Sequence, residues 1–174
     1  DQVDALRKTI VSDSDLKTLD QYTGEVYCAR ALAYSELIKC FCEAYDANKE
    51  QLGVVPRTSY FKEEPVKRAS LKDSYNLVLD DLSKAESLLV EEEGTRDYDS
   101  PYFTYAAANA IHARVALYMQ DWETAVEYST KLIEDPAYSL STASTYTTGV
   151  SPITGAQKAY SYIEYMWTND LSTE

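Results

Sequence analysis

Histidine, glycine, cysteine and long apolar runs are all scarce in this chain, and each scarcity removes a class of function. A single histidine, His112, leaves no Ser/His/Asp or Cys/His set to assemble for nucleophilic catalysis. The five glycines form no phosphate-cradling loop. Only three cysteines are present, Cys28, Cys40 and Cys42, and all fall in one predicted helix. Cys28 and Cys40 would stand about 18 Å apart at 1.5 Å rise per residue, well beyond the ~7 Å Cα limit for a disulfide. Cys40 and Cys42 point about 200° apart around the helix axis, so buried free thiols are expected. With His112 far along the chain, no zinc ligand set forms, and neither a metal nor any other cofactor is expected. No apolar run reaches the 18 or more residues needed to span a bilayer. The opening Asp1-Gln2-Val3-Asp4 has neither the basic nor the apolar part of a signal peptide, which leaves a cytosolic protein or one whose leader has been removed.

Basic residues are also outnumbered, 16 against 29 acids, for a formal charge of −13. Such a field repels phosphate backbones and anionic lipid heads, so nucleic acid is not an expected partner. What the chain does have is length and apolar content. Its 174 residues, 45% of them apolar, suit one folded domain, residues 1–174.

The apolar residues follow helical spacing in five stretches. A short helix carries Val3, Leu6, Ile10 and Val11, and Ser12-Asp13-Ser14-Asp15 then supplies capping groups. A long helix begins between Asp15 and Glu25, with Gly24 blurring its start, and reaches Tyr45. Its polar stripe, Glu25, Glu36, Lys39 and Glu43, is narrow, so burial over most of its surface is expected, including Val26, Leu37 and Phe41. Arg30 lies about 120° off that stripe and needs a partner such as Asp80 or Asp81, because an unpaired buried charge costs several kcal/mol. Gly53, Pro56 and Pro65 punctuate a long surface connection from Asp46 to Ser70. Ser70 then caps a helix whose buried stripe is Leu71, Tyr75, Val78, Leu82, Ala85 and Leu89, widened by Leu79 and Leu88, ending near Glu91-Glu92-Glu93-Gly94.

The alanine-dominated run from Tyr105 to Met119 predicts a fourth helix that a neighbour can approach closely. After the break at Gln120-Asp121, Asp121 caps a fifth helix that starts at Trp122 and stops at Asp135-Pro136. Its predicted buried face is Trp122, Ala125, Val126, Ser129, Leu132 and Ile133. This pair resembles a tetratricopeptide helical hairpin: Ala113, Trp122 and Ala125 sit at its small, aromatic and alanine positions, although no glycine precedes the turn. The predicted class is all-α, with tetratricopeptide-like antiparallel helical hairpins and long irregular loops. Asp97 to Phe103 mixes carboxylates with aromatics but lacks the spacing of a calcium loop, and a solvated connection is expected. The apolar cluster from Tyr160 to Trp167 has little chain left to cover it, so the chain reads as part of something longer.

Several segments also resemble, in order, the SusD/RagB-like outer-membrane lipoproteins. Gly24-Glu25-Val26-Tyr27-Cys28-Ala29-Arg30-Ala31-Leu32-Ala33-Tyr34 is similar to the family's Gly-Glu-Ala segment followed by Arg-Ala and an aromatic. Gly53-Val54-Val55-Pro56 resembles its Gly-x-Val-Pro turn, and Arg68 precedes Asp80-Asp81-Leu82-Ser83-Lys84-Ala85, similar to its Asp-Leu-x-x-Ala pattern. Ala106-Ala107, Ala113 to Tyr118, Asp121 to Ala125 and Tyr138-Ser139-Leu140 resemble the second hairpin and the segment after it. The departures are a missing lipid-bearing N-terminal cysteine, Ala44-Tyr45-Asp46 in place of an aromatic-Gly step, and an absent C-terminal half.

The resemblance implies a lipid-anchored, surface-exposed outer-membrane protein. Such a protein holds oligosaccharide without cleaving it and partners a SusC-like TonB-dependent transporter, with this part mainly scaffold. Tyr60, Phe61, Tyr98, Tyr102 and Phe103 lie in predicted loops, either as platforms for a sugar ring or as contacts with the remaining half. The second use is favoured because large exposed aromatics mark contact surfaces. The alternative is a cytosolic tetratricopeptide adaptor binding a protein partner, whose usual basic groove the −13 charge argues against.

Overall fold

The structure, a computed structural model, describes residues 2–58, 67–89 and 102–135. Among them are five helices and no strand: α1 (Gln2–Arg7), α2 (Asp13–Phe41), α3 (Leu71–Leu88), α4 (Tyr105–Tyr118) and α5 (Trp122–Ile133). The class is all-α, as its periodicity indicates. The described fold lies in the compact unit Asp1–Leu132 except for its last three residues, Ile133 to Asp135. The acidic loop around Asp97, the Tyr138-Ser139-Leu140 segment and the Tyr160–Trp167 cluster fall outside the described residues.

Helix α2 begins at Asp13, earlier than expected. Ser12 is its extended N-cap, and Asp13 and Asp15 put negative charge at the positive end of the helix dipole. Arg7 at the end of α1 pairs with Asp20. Gly24 does not delay the helix but serves packing inside it. A Cβ at Gly24 would sit 2.7 Å from Leu89 Cγ and 3.2 Å from Leu88 Cβ, so the missing side chain lets the end of α3 close onto α2. The helix stops at Phe41 instead of Tyr45, because Cys42 turns extended at φ −116° and ψ 162°.

Helices α2 and α3 run antiparallel and bury the main core between them: Cys28, Ala31 and Ile38 from α2 against Leu71, Tyr75, Val78, Leu82 and Ala85 from α3. Leu71, Tyr75, Val78, Leu82, Ala85 and Leu89 of the predicted α3 stripe are buried, while Leu79 and Leu88, expected to widen it, are half-buried. Inside this seam Arg30 meets Asp81, donating Nε to Oδ2 at 2.6 Å and Nη2 to Oδ1 at 2.7 Å. Asp81 is 0% exposed, and its hydrogen bond is the main reason that the Arg30 guanidinium is held even more firmly charged than usual. At the far end of the seam Ser70 caps α3, accepting from Asp73 N–H at 3.0 Å.

Helix α4 covers the other side of α3 with Ala108, Ile111 and Val115, after Thr104 caps its start. The turn into α5 solves the missing glycine by strain: Gln120 adopts φ 60°, in the left-handed region. Its side chain offsets part of that cost by donating to Tyr45 O at 3.1 Å. Asp121 then caps α5, accepting from Thr124 N–H at 3.2 Å and Thr124 Oγ1 at 2.8 Å.

Three expectations need correcting. Helix α2 is not buried over most of its surface, since Val26 is 65% and Phe41 70% exposed and Leu37 is exposed as well. On α5 only Ala125 of the predicted face is buried; Trp122 is 60% exposed, and Val126 and Ile133 are exposed too. Both helices carry a second apolar face, whereas α3 and α4 cover only one. The third correction concerns the thiols: all three are free, but Cys40 is exposed and Cys42 is only partly covered.

Two stability measurements test this account. Asp81→Ala leaves Arg30 without its carboxylate and should cost about 3 kcal/mol in urea unfolding, while Arg30→Met with Asp81→Leu recovers most of the loss. At the turn, Gln120→Gly should be more stable than Gln120→Ala by about 1 kcal/mol, since both lose the Tyr45 bond and only glycine removes the strain.

Candidate ligand-binding site

The candidate residues sit on two connections, and the described parts of each show how the helices hold them. Leading into the first, residues 51–57 lie along the start of α3. Leu52 and Ser70 form an antiparallel bridge. Gly53 N–H donates to Ala69 O at 2.8 Å, Ala69 N–H to Val54 O at 2.9 Å, and Leu71 N–H to Gln51 O at 2.7 Å. Val54 is buried, and its N–H donates to Ser74 Oγ at 3.0 Å. The expected surface connection is therefore partly a core element.

Gly53 is required by proximity. A Cβ there would stand 2.0 Å from Ser74 Oγ and 2.5 Å from Ser70 O. Arg68 closes the base from outside, donating Nε to Gly53 O at 2.6 Å and Nη2 to Leu52 O at 3.2 Å and Phe41 O at 3.3 Å. That last bond also ties the segment to the C-terminus of α2, whose final carbonyls lack helical partners. Tyr34, read from spacing as core, is buried but also reaches the segment. Its hydroxyl accepts from Arg57 N–H at 2.6 Å and donates to Arg57 O at 3.0 Å. The loop carrying Tyr60 and Phe61 thus departs from and returns to a hydrogen-bonded base, although both residues lie outside the described ones.

On the second connection Tyr98 also lies outside the described residues, while Tyr102 and Phe103 are described and differ. Tyr102 is 61% exposed just before the α4 cap, whereas Phe103 is partly buried against the core. Of this pair Tyr102 is the one turned further toward solvent.

The remaining polar groups inside the unit tie helices together. His112 of α4 is buried, with Nδ1 2.7 Å from Glu86 Oε1 on α3. The ring of Tyr128 on α5 stacks on His112 at 3.8 Å between centroids, and its hydroxyl donates to Glu86 Oε2 at 3.2 Å. Burial, then the neighbouring Glu86 charge, pushes the Tyr128 hydroxyl up to about 12. His112 and Tyr128 lie eight residues on either side of Gln120, as partners in an antiparallel hairpin do. No local spacing links His112 to Glu86 or Tyr128, because their pairing depends on how three helices meet. Burial, then Glu86 and Glu25, also raises the Cys28 thiol to about 12, so it remains a protonated thiol at neutral pH and a poor nucleophile. Among the described residues no three or more His, Cys, Asp or Glu side chains converge as a metal site requires. The arrangement offers a rigid base, two loop-bearing connections and an exposed tyrosine.

The tightness of the base can be tested at Gly53. Gly53→Ala should lower unfolding stability by about 1–3 kcal/mol, as overpacking does. Adding Ser74→Ala should restore only part of it, because the Ser70 carbonyl is backbone and cannot yield.

A SusD-like family model, described as starch-binding associating with outer membrane, matches residues 2–117. Among solved structures, a SusD superfamily protein from Bacteroides thetaiotaomicron VPI-5482 is 25% identical with a TM-score of 0.70. The match covers 86% of this chain and 33% of that one. A SusD-like protein from Bacteroides fragilis NCTC 9343 is 27% identical with a TM-score of 0.57, covering 76% and 23%. A SusD-like carbohydrate binding protein from Bacteroides vulgatus ATCC 8482 is 25% identical with a TM-score of 0.64, covering 79% and 29%. The chain therefore spans no more than a third of the length of these relatives. A search of curated proteins returned no match. The matched region includes the Gly24–Arg30 helix, the Gly53 base and the Asp81 helix, and the chain belongs to the SusD-like family.

Proposed function

We propose that residues 1–174 form one helical scaffold domain of a longer carbohydrate-binding protein, lipid-anchored at the outer membrane and exposed at the cell surface. The protein captures oligosaccharide without cleaving it and passes it to a SusC-like TonB-dependent transporter. The observation that carries this reading is the family match over residues 2–117, a family described as starch-binding associating with outer membrane. The geometry supports the scaffold role: the buried Asp81 and His112 go into helix–helix ties, and two connections leave the bundle, one of them from a hydrogen-bonded base.

Within the proposal, Tyr102 is the aromatic platform of this region, since a sugar ring stacks on an exposed aromatic face. Tyr60, Phe61 and Tyr98 are its companions on the loops, and Phe103 supports the segment from the core side.

Binding to the full-length protein tests both levels. Calorimetric titration with starch-derived and other plant oligosaccharides should give saturable binding with no release of new reducing ends. Tyr102→Ala should weaken it by about 1–2 kcal/mol, the scale of one lost aromatic contact. Unchanged affinity removes Tyr102 from the site, and absence of binding to any glycan on a broad array refutes glycan capture.

A further inference from the structure

Two free thiols stand at the end of α2 with a single residue, Phe41, between them. Cys40 lies in the last helical turn and is exposed, whereas Cys42 is half-buried and packs against the core. Helical phase alone would point them apart, but Cys42 is not on the helix. It is the C-cap, with extended φ −116° and ψ 162°, and its N–H, donating to Ile38 O at 2.9 Å, is what still ties it to the final turn. Helical geometry up to Phe41 sets the two Cα atoms about 5.4 Å apart, inside the range of about 4.4–6.8 Å that a disulfide spans. Side-chain direction, not distance, separates the thiols. The same turn is where Arg68 holds the loop base. Its Nη2 reaches Phe41 O at 3.3 Å, Leu52 O at 3.2 Å and Cys42 Sγ at 4.0 Å, while Nε donates to Gly53 O at 2.6 Å.

We propose that Cys40 and Cys42 form a redox switch whose closure releases Arg68 from the end of α2 and loosens the loop base around Gly53. Closure by a low-molecular-weight disulfide such as glutathione disulfide balances in two exchanges. The exposed Cys40 thiolate attacks one glutathione sulfur, forming a mixed disulfide and expelling one glutathione thiolate. Cys42, losing its proton to solvent, then attacks Cys40 Sγ, forming the Cys40–Cys42 bond and expelling the second glutathione. The two cysteines give up two electrons, which the glutathione disulfide takes up as it becomes two thiols. Reaching Cys40 draws Cys42 Sγ out of the core and away from Arg68. It also turns Phe41, held between them, so that its carbonyl no longer meets the guanidinium. So small a ring is strained, which keeps the bond readily reducible and the switch reversible. Cys28 takes no part, since it is buried far back along α2, and burial, then Glu86 and Glu25, pushes its thiol up to about 12. The inference does not depend on carbohydrate binding.

In the full-length protein equilibrated with glutathione disulfide, the tryptic peptide Cys40–Lys49 holds both thiols and should lose two hydrogens, regaining them with dithiothreitol, while Cys28 stays reduced. Amide exchange at Gly53 and Ala69, whose N–H groups donate within the base, should then speed up at least about fivefold. Cys40→Ser and Cys42→Ser should each abolish that response, and Cys28→Ala should keep it. Arg68→Ala should raise the same exchange in the reduced protein and leave oxidation little to add. A peptide that stays reduced, glutathione retained on Cys40 as the end product, or a disulfide between two copies overturns the proposal. So does ring closure with no change in exchange at Gly53 and Ala69. Each of these results leaves glycan binding to be judged by its own titration.

Discussion

The Arg30–Asp81 pair is the constraint on which the described fold depends, because it fixes how α2 and α3 meet. A carboxylate wholly removed from water is tolerable only where its partner satisfies it with good geometry, and here the guanidinium meets it with two parallel bonds. That requirement selects a register. Six residues back along α2 and eight residues on along α3, Gly24 faces Leu89 at a separation that no side chain would permit. Sliding α3 by one turn would strand Asp81 and drive Leu89 into a residue with a Cβ. Apolar burial supplies most of the driving force, but leucine and alanine stripes tolerate several registers. A buried ion pair and a glycine contact do not.

From that register the rest follows outward. The start of α3 is placed beside the end of α2, which lets Arg68 join the Phe41 carbonyl to the Gly53 segment. Tyr34, one helical turn beyond Arg30, reaches Arg57 from the same seam. On the other side of α3, Glu86 lies where it can serve both His112 and Tyr128, so the third, fourth and fifth helices share one carboxylate. The connections bearing the aromatic candidates inherit their positions from these ties.

Much of this was legible in the sequence, and the division between what was and was not is physical. Helix periodicity located all five helices, and the α3 stripe matched burial at its six central positions with Leu79 and Leu88 half-buried at its margins, because a packed helix writes its contacts as a 3.6-residue pattern. Arg30 announced its need for a partner by sitting among apolar neighbours, and Asp81 was one of two acids named for it. Gly24 and Gly53 were read as punctuation, since a glycine that breaks a helix and one that admits a neighbour look alike until the neighbour is known. The Glu86–His112–Tyr128 cluster joins residues up to 42 positions apart and leaves no local spacing to read. For the candidate site, the sequence could list loop aromatics but could not separate Tyr102 from Phe103, whose different exposures depend on how the chain enters the α4 cap.

Several of the segments that carried the family resemblance contain packing solutions. Gly24 admits Leu89, Arg30 neutralises Asp81, Gly53 closes on Ser74, and Asp121 caps the helix that Trp122 opens. A motif set of this kind specifies how helices and loop bases are joined, and it leaves the loop tips free to differ between chains that share the scaffold. On the proposed reading, recognition of a sugar falls to side chains such as Tyr102, which is 61% exposed beside the α4 cap. The same reasoning explains the helices whose apolar pattern exceeds their observed burial. On α2 the face toward α3 is accounted for by the ties above, and Val26, Leu37 and Phe41 are exposed apolar positions that those ties do not use.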